Sequence, residues 1–148
     1  MRLIQITDSH LHADKRARSR AGIPWQQFQR VLEAVAAERP DVVVFTGDVS
    51  QDETAASYAH AREALSALPC PWFWIPGNHD QLELTSAEQP LLDEVDLDQW
   101  RLLLLDTQVV GKPHGELGSD TLSALAERLE QDDRPTMIAM HHPPVDVG

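Results

Sequence analysis

Apolar and polar positions alternate along the chain in two distinct rhythms. Five short runs are rich in β-branched, leucine and aromatic residues: Leu3 to Thr7, Val42 to Thr46, Trp72 to Ile75, Leu102 to Asp106 and Met137 to His141. Three of them are near-continuously apolar, which predicts strands covered on both faces. Between the runs the period changes. Trp25, Phe28, Val31, Leu32 and Val35 share one helical face, with Pro24 suited to the first turn and Pro40 beyond the end. Ser50 and Glu53 have capping-box spacing ahead of a second helix carrying Tyr58, Leu65 and Leu68. Leu122, Leu125 and Leu129 mark a third, beginning near Ser119. From Gln81 to Asp98 acidic residues crowd without a clear period, so this stretch reads as loop with one helical turn. Strands alternating with helices predict an α/β layered fold with several parallel strands.

The whole of residues 1–148 reads as a single domain, long enough to bury a sizeable core. The last strand runs into a Pro-rich loop, 143–148, and an α/β domain rarely ends just after a central strand; the chain is therefore expected to be the N-terminal portion of something longer. Composition is that of an ordinary globular protein, 42% hydrophobic and 24% charged. No apolar run approaches membrane-spanning length, and Met1 to Thr7 enters a strand pattern without a signal-peptide layout, so no membrane partner is expected. With Cys70 as the one cysteine, no intrachain disulfide forms, and a cytoplasmic address is the simplest reading. The net charge of −12 argues against sequence-independent nucleic-acid binding, which needs a basic surface. It leaves a phosphate-bearing substrate open, because bound cations make a site locally positive within an acidic protein.

Each chemically interesting cluster directly follows a predicted strand. Asp8-Ser9-His10, Gly47-Asp48, Gly77-Asn78-His79-Asp80 and His141-His142-Pro143-Pro144 all occupy that position, and open α/β sheets bind ligands at the carboxyl ends of their strands. Four such tips at one edge gather two carboxylates, an amide oxygen and several imidazoles, a mixed O and N set suited to Mn, Fe or Zn. Asp8 and His10, two apart, point the same way on an extended backbone and can grip one ion. Asp48 has two oxygens and can bridge two cations, as a two-metal site requires. Gly47 and Gly77 permit a sharp turn or close backbone approach that aims the residue after each one. Taken singly, Asp8 or Asp48 is as well explained as a turn or cap residue. Of His141 and His142, side-chain alternation lets only one face the site directly.

In order and spacing these residues resemble the calcineurin-like metallophosphoesterase superfamily, whose signature runs Asp-x-His, Gly-Asp, Gly-Asn-His-Asp or Glu. The segments Ile6 to Leu11, Thr46 to Asp48, Pro76 to Asp80, Leu104 to Gln108 and Pro113 to Leu117 are similar to class III cyclic-AMP phosphodiesterases. The resemblance implies a layered sandwich of mixed β-sheets flanked by helices, incomplete here, and a centre of two divalent metal ions (Fe, Mn or Zn). It implies Asp8, His10 and Asp48 as ligands of one ion, with bridging Asp48, Asn78 and His141 as ligands of the other. His79 is implied as hydrogen-bond donor or general acid beside the leaving oxygen. The implied reaction is hydrolysis of 3',5'-cyclic AMP to 5'-AMP; a glycerophosphodiester or other small phosphodiester is the alternative substrate, and a non-catalytic module of the same fold the alternative outside catalysis. Family members complete both metal spheres with a later Gly-His-x-His motif that this sequence lacks, so the 148 residues alone are expected to bind metal weakly and turn over poorly. A sheet left unfinished exposes an edge and an apolar face, for which self-association is expected.

The remaining candidates read more plainly. Asp80 is expected to orient backbone or a neighbouring ligand, and His142 either to support a ligand from behind or to fill space. His12 and His114 read as surface histidines, as does His60 in mid-helix. Trp72 and Trp74 read as core and Cys70 as structural.

Overall fold

A computed structural model describes residues 1–145; the end of the expected exit loop, 146–148, lies outside them. The elements in chain order are β1 (Leu3–Ile6), α1 (Pro24–Ala37), β2 (Val42–Phe45), α2 (Ala55–Leu65), β3 (Trp72–Trp74), α3 (Leu82–Glu88), β4 (Glu94–Leu97), β5 (Trp100–Leu104), α4 (Ser119–Gln131) and β6 (Thr136–Ala139). They build two sheets, as the resemblance implied. The first has the order β1-β2-β3, all parallel, in register Leu3 with Val42 and Val43 with Trp72. The second has the order β4-β5-β6, antiparallel in its first pair and parallel in its second.

Alternation along β2 explains the stacking. Val43 and Phe45 enter a core with Phe28, Leu32 and Val35 of α1 and Tyr58, Ala61 and Leu65 of α2. Val44, between them, joins Ile75 against Val95, Leu102 and Leu104 of the second sheet. The first sheet is thus sandwiched between helices and the second sheet, and a strand covered on both faces needs the unbroken apolar run that Val42 to Phe45 supplies. Trp72 and Trp74 lie in the helix-side core, their rings 5.2 Å apart edge to face.

Three local expectations are corrected. The second helix is capped by Thr54, whose hydroxyl accepts from Ser57 N at 3.3 Å. Ser50 is buried and accepts from Glu53 N at 2.9 Å, but Glu53 has φ +54° and lies outside the helix, so the pair closes a turn upstream of it. The acidic stretch from Gln81 holds both α3 and β4, the latter turning through Asp98 and Gln99 into β5. His60 is half-buried, bonded to Ala13 O at 3.1 Å and packed on Trp25 at 5.8 Å, not solvated.

Candidate metal centre

The carboxyl ends of β1, β2, β3 and β6 converge, although β6 belongs to the other sheet. Beyond β1 and β2 the two chains continue side by side: Asp8 N donates to Gly47 O, His10 N to Asp48 O and Leu11 N to Val49 O, at 3.0, 3.0 and 2.8 Å. This ladder brings Asp8, His10 and Asp48 together, their ligand atoms all within 4.8 Å of one another. The backbone is not extended as the spacing suggested. Asp8, His10 and Asp48 have φ of 57°, 45° and 54°, left-handed conformations that cost non-glycine residues about 1–3 kcal/mol each. The surrounding ladder and loop contacts hold them there.

Gly47 and Gly77 are required by the close approach of the next two loops. A Cβ on Gly77 would stand 2.2 Å from Asp48 Oδ1, and one on Gly47, at φ +94°, would stand 2.5 Å from Gly77 N and 2.8 Å from His141 Nδ1. The two loops then exchange bonds. Asp48 Oδ1 accepts from His79 N at 3.0 Å. In return Asp80, 3% exposed, accepts from Val49 N at 3.0 Å and Ser50 N at 3.1 Å while closing its own turn by accepting from Gly77 N at 2.8 Å. The Tyr58 hydroxyl donates to Asp80 at 3.1 Å and accepts from Gln81 N at 2.8 Å. Burial pushes the Asp80 carboxyl above its usual value, and the amides of Gly77, Ser50 and Val49 with the Tyr58 hydroxyl pull it only part of the way back. Burial, then the Asp80 charge, pushes the Tyr58 hydroxyl up.

His141 comes in from the second sheet. Its Nδ1–H donates to the Thr46 carbonyl at 2.7 Å, which leaves Nε2 with a lone pair 3.2 Å from Asn78 Oδ1 and 3.5 Å from Asp48 Oδ1. Asp48 is 4% exposed, and its other oxygen stands 3.7 Å from His10 Nε2, itself 3.5 Å from Asp8 Oδ1. Among the described residues no lysine or arginine pairs with Asp8 or Asp48, and His10 Nδ1 is buried without a partner. Acceptor atoms facing one another around a buried carboxylate fit cations, and the oxygen and imidazole donors suit divalent ones. His79 is exposed, its ring 5.3 Å from that of His10 and nearly perpendicular.

All six residues singled out from sequence, Asp8, His10, Asp48, Asn78, His79 and His141, therefore occupy one place. His142 lies behind it: Nδ1 bonds the Thr107 hydroxyl at 2.7 Å, and its ring stands 4.8 Å from that of His141. Burial, then the neighbouring His141, pushes the His142 imidazole down. Gly115 lies flat on the ring, where a Cβ would come within 2.3 Å. His12 approaches Asp52 at 3.9 Å, and His114 is exposed. Sequence reading missed the contribution of Gln108, whose side-chain amide donates to the carbonyls of Gly77 and Asp80 at 2.8 and 2.5 Å. A signal existed in the Leu104 to Gln108 segment, which follows a strand as the other clusters do.

Stacked three-stranded sheets with helices outside, and a cluster of acidic, amide and imidazole groups where their strand ends meet, make a layered α/β fold with a candidate site at one edge. A solved dimetal phosphatase from Danio rerio shares that fold, with a TM-score of 0.56 over 99% of this chain and 56% of its own, at 16% identity. The calcineurin-like phosphoesterase family model matches residues 1–148, and the chain belongs to this family. Similar curated proteins include the 3',5'-cyclic adenosine monophosphate phosphodiesterase CpdA of Escherichia coli K12, 39% identical across 100% of this chain and 57% of that protein. The Pseudomonas aeruginosa protein of the same name is 36% identical across 99% of this chain and 56% of its own length. The chain thus spans a little over half the length of these relatives.

Proposed function

We propose that this chain carries the metal centre of a phosphodiesterase converting 3',5'-cyclic AMP to 5'-AMP, with Asp8, His10 and Asp48 holding one divalent cation and Asp48, Asn78 and His141 a second. The position of Asp48 carries this reading. Its two oxygens face different ligand groups, His10 at 3.7 Å and His141 at 3.5 Å, as a carboxylate shared by two ions must. When bound, such cations supply Lewis acidity toward phosphoryl oxygens and lower the pKa of water at the site. The chain's own residues do the rest. Asp8 and Asp48 are preset by the backbone ladder, so binding needs little rearrangement. His141 is fixed in one tautomer by Thr46. His79, on the open side, would donate a hydrogen bond or its proton to the ribose O3' as a water oxygen bonds to phosphorus and the P–O3' bond breaks.

Cyclic AMP as substrate is supported by the names of the Escherichia coli and Pseudomonas relatives. A cytoplasmic setting belongs to the same reading, supported by the free thiol of Cys70. The test is calorimetric titration of the metal-free protein with Mn²⁺, followed by hydrolysis assays on cyclic AMP, cyclic GMP and an aryl phosphodiester. Weak uptake of two Mn²⁺ per chain and slow but preferential release of 5'-AMP are expected. Metal uptake with hydrolysis of the aryl phosphodiester and none of cyclic AMP would remove the substrate and keep the centre; absence of uptake at millimolar Mn²⁺ would remove both.

A further inference from the structure

We infer that Asp80, supported by Tyr58, is a positioning residue that sets the spacing of the two metal subsites without touching either ion; this rests on the dinuclear reading above. Asp80 directly follows two residues of the candidate site, Asn78 and His79, yet its carboxylate turns inward. Four donors converge on it: Val49 N, Ser50 N, Gly77 N and the Tyr58 hydroxyl, at 3.0, 3.1, 2.8 and 3.1 Å. Two of these amides belong to the residues directly after Asp48, and the third begins the turn that presents Asn78 and His79.

Asp48 makes the converse contact, accepting His79 N at 3.0 Å. Each loop therefore holds the other through a carboxylate, and the relative placement of Asp48 and Asn78 follows from the pair of contacts. Two features make Asp80 the part of this clasp free to specialise. It is 3% exposed, and its donors already occupy both oxygens, so it has nothing to offer a cation. Asp48 sits at φ +54°, a conformation that persists only while its neighbours are held, and the Val49 and Ser50 amides are the neighbours that Asp80 holds. Tyr58 ties the arrangement to α2 and, through Gln81 N at 2.8 Å, to the far side of the same turn.

The test compares wild type with Asp80→Asn and Tyr58→Phe, each first shown to be folded by circular dichroism. Asparagine keeps the size but leaves one acceptor oxygen for four donors, and its own amide group then faces them. Mn²⁺ affinity is read by calorimetry, and the spacing of the ions by the exchange-coupled electron paramagnetic resonance signal of a manganese pair. Partners that orient metal ligands typically change affinity about 10–100-fold when removed; Asp80→Asn should fall in that range and lose the coupled signal. Tyr58→Phe should weaken binding by less than about 10-fold and diminish the signal. A residue with a purely structural role would lower the melting temperature and leave the coupled spectrum of the folded protein intact, and that outcome overturns the inference. If Asp80→Asn does not fold, Tyr58→Phe decides alone: binding within twofold of wild type and an unchanged spectrum overturn it. Failure of the wild type itself to take up Mn²⁺ sinks the metal-centre reading and this inference together, whereas uptake that both variants preserve sinks this inference only.

Discussion

The two sheets have the same number of strands and opposite characters. The first is all parallel, pressed between α1 and α2 on one face and the second sheet on the other, and every residue of β2 is buried. The second meets the first through one apolar face and buries Arg101 to Leu104 of its central β5, but β6 forms its edge, with Met137 and Ile138 each 38% exposed, and α4 buries no residue. A cavity of about 380 Å³ lies between α4 and the end of β5. Three of the four chemistry-bearing loops leave the well-covered sheet, and His141 alone among the singled-out residues leaves the sparsely covered one. Precision is therefore concentrated where coverage is greatest. His141 enters the site through its bond to the Thr46 carbonyl and lies against Asn78, both at the end of the first sheet, so that sheet also determines where the ring ends up.

Truncating an apolar side chain on the central strand of the first sheet and one on the edge strand of the second should give the largest contrast. Phe45 is 0% exposed and packs on Phe28 at 5.9 Å; Phe45→Ala should cost about 3–5 kcal/mol. Ile138, on the edge strand, already loses much of its burial, and Ile138→Ala should cost only about 1 kcal/mol. Urea unfolding with matched m-values measures both. Equal costs would mean that the sheets are equally well packed, and the contrast would fail.

A second substitution moves from the core of the first sheet to its rim. Gly77→Ala places a methyl group 2.2 Å from Asp48 Oδ1 and 2.4 Å from Asp48 N. Those atoms are a buried carboxylate and backbone, neither of which swings aside, so overpacking of about 1–3 kcal/mol is expected. The same shift displaces Asp48, and Mn²⁺ titration should show uptake reduced by far more than that stability loss would cause. Normal uptake by a destabilised protein would show that the rim tolerates movement and that coverage does not confer precision.

The contrast between sheets also marks what could be read from the chain. Runs such as Val42 to Phe45 announce themselves because burial on both faces leaves no polar position, and α1 is legible from its spacing and from Pro24 at its start. β4 was hidden because its alternation, Glu94-Val95-Asp96-Leu97, is short, acidic and closed by Asp98-Gln99, a turn without glycine in which Asp98 takes φ +66°. More than one sheet was implied by the resemblance, but which sheet takes β6 was hidden, since its pairing with β5 is decided by long-range contacts. In the site, residue types and order gave the four clusters, and the family resemblance picked the six candidate residues from them, His141 rather than His142 among them. The orientation of backbone by Asp80 was legible; the left-handed backbone of Asp8, His10 and Asp48 was not, since none is glycine, nor was the reach of Gln108 to Gly77 and Asp80. Those depend on which loops meet.

Thr107 tests how strongly the second sheet supports its own contribution. Its hydroxyl bonds His142 Nδ1 at 2.7 Å, and His142 Nε2 is buried without a partner. Thr107→Val preserves shape and removes the bond, leaving a second unsatisfied imidazole nitrogen, for a cost of about 1–3 kcal/mol. Because His141 is held by the first sheet, Mn²⁺ affinity should change less than twofold while the melting temperature drops. A larger change in affinity would show that the second sheet shares in aiming His141.

The smallest effect lies farthest from the site, at the start of β6. Arg134 bonds the Asp132 carboxylate through Nη2 at 2.7 Å and Asp96 through Nη1 at 3.1 Å, linking the approach to β6 with β4. The Arg134 side-chain bonds to Asp132, then the Arg134 amide, hold that carboxyl down to about 2 from its ordinary 3.8. Asp96 is also held low, first by the Asp98 amide and then by Arg134. A carboxyl whose folded pKa is depressed contributes stability above its unfolded pKa and loses it as pH falls through the folded one. The melting temperature of wild type should therefore exceed that of Arg134→Gln by a small margin at pH 5. That margin should shrink below pH 3.8, vanish near pH 2 and narrow with added salt, since the pair is exposed. A margin independent of pH would mean that Arg134 supports the edge through packing of its stem instead of its charge, and the second sheet would then be better packed at this end than its exposed edge strand suggests.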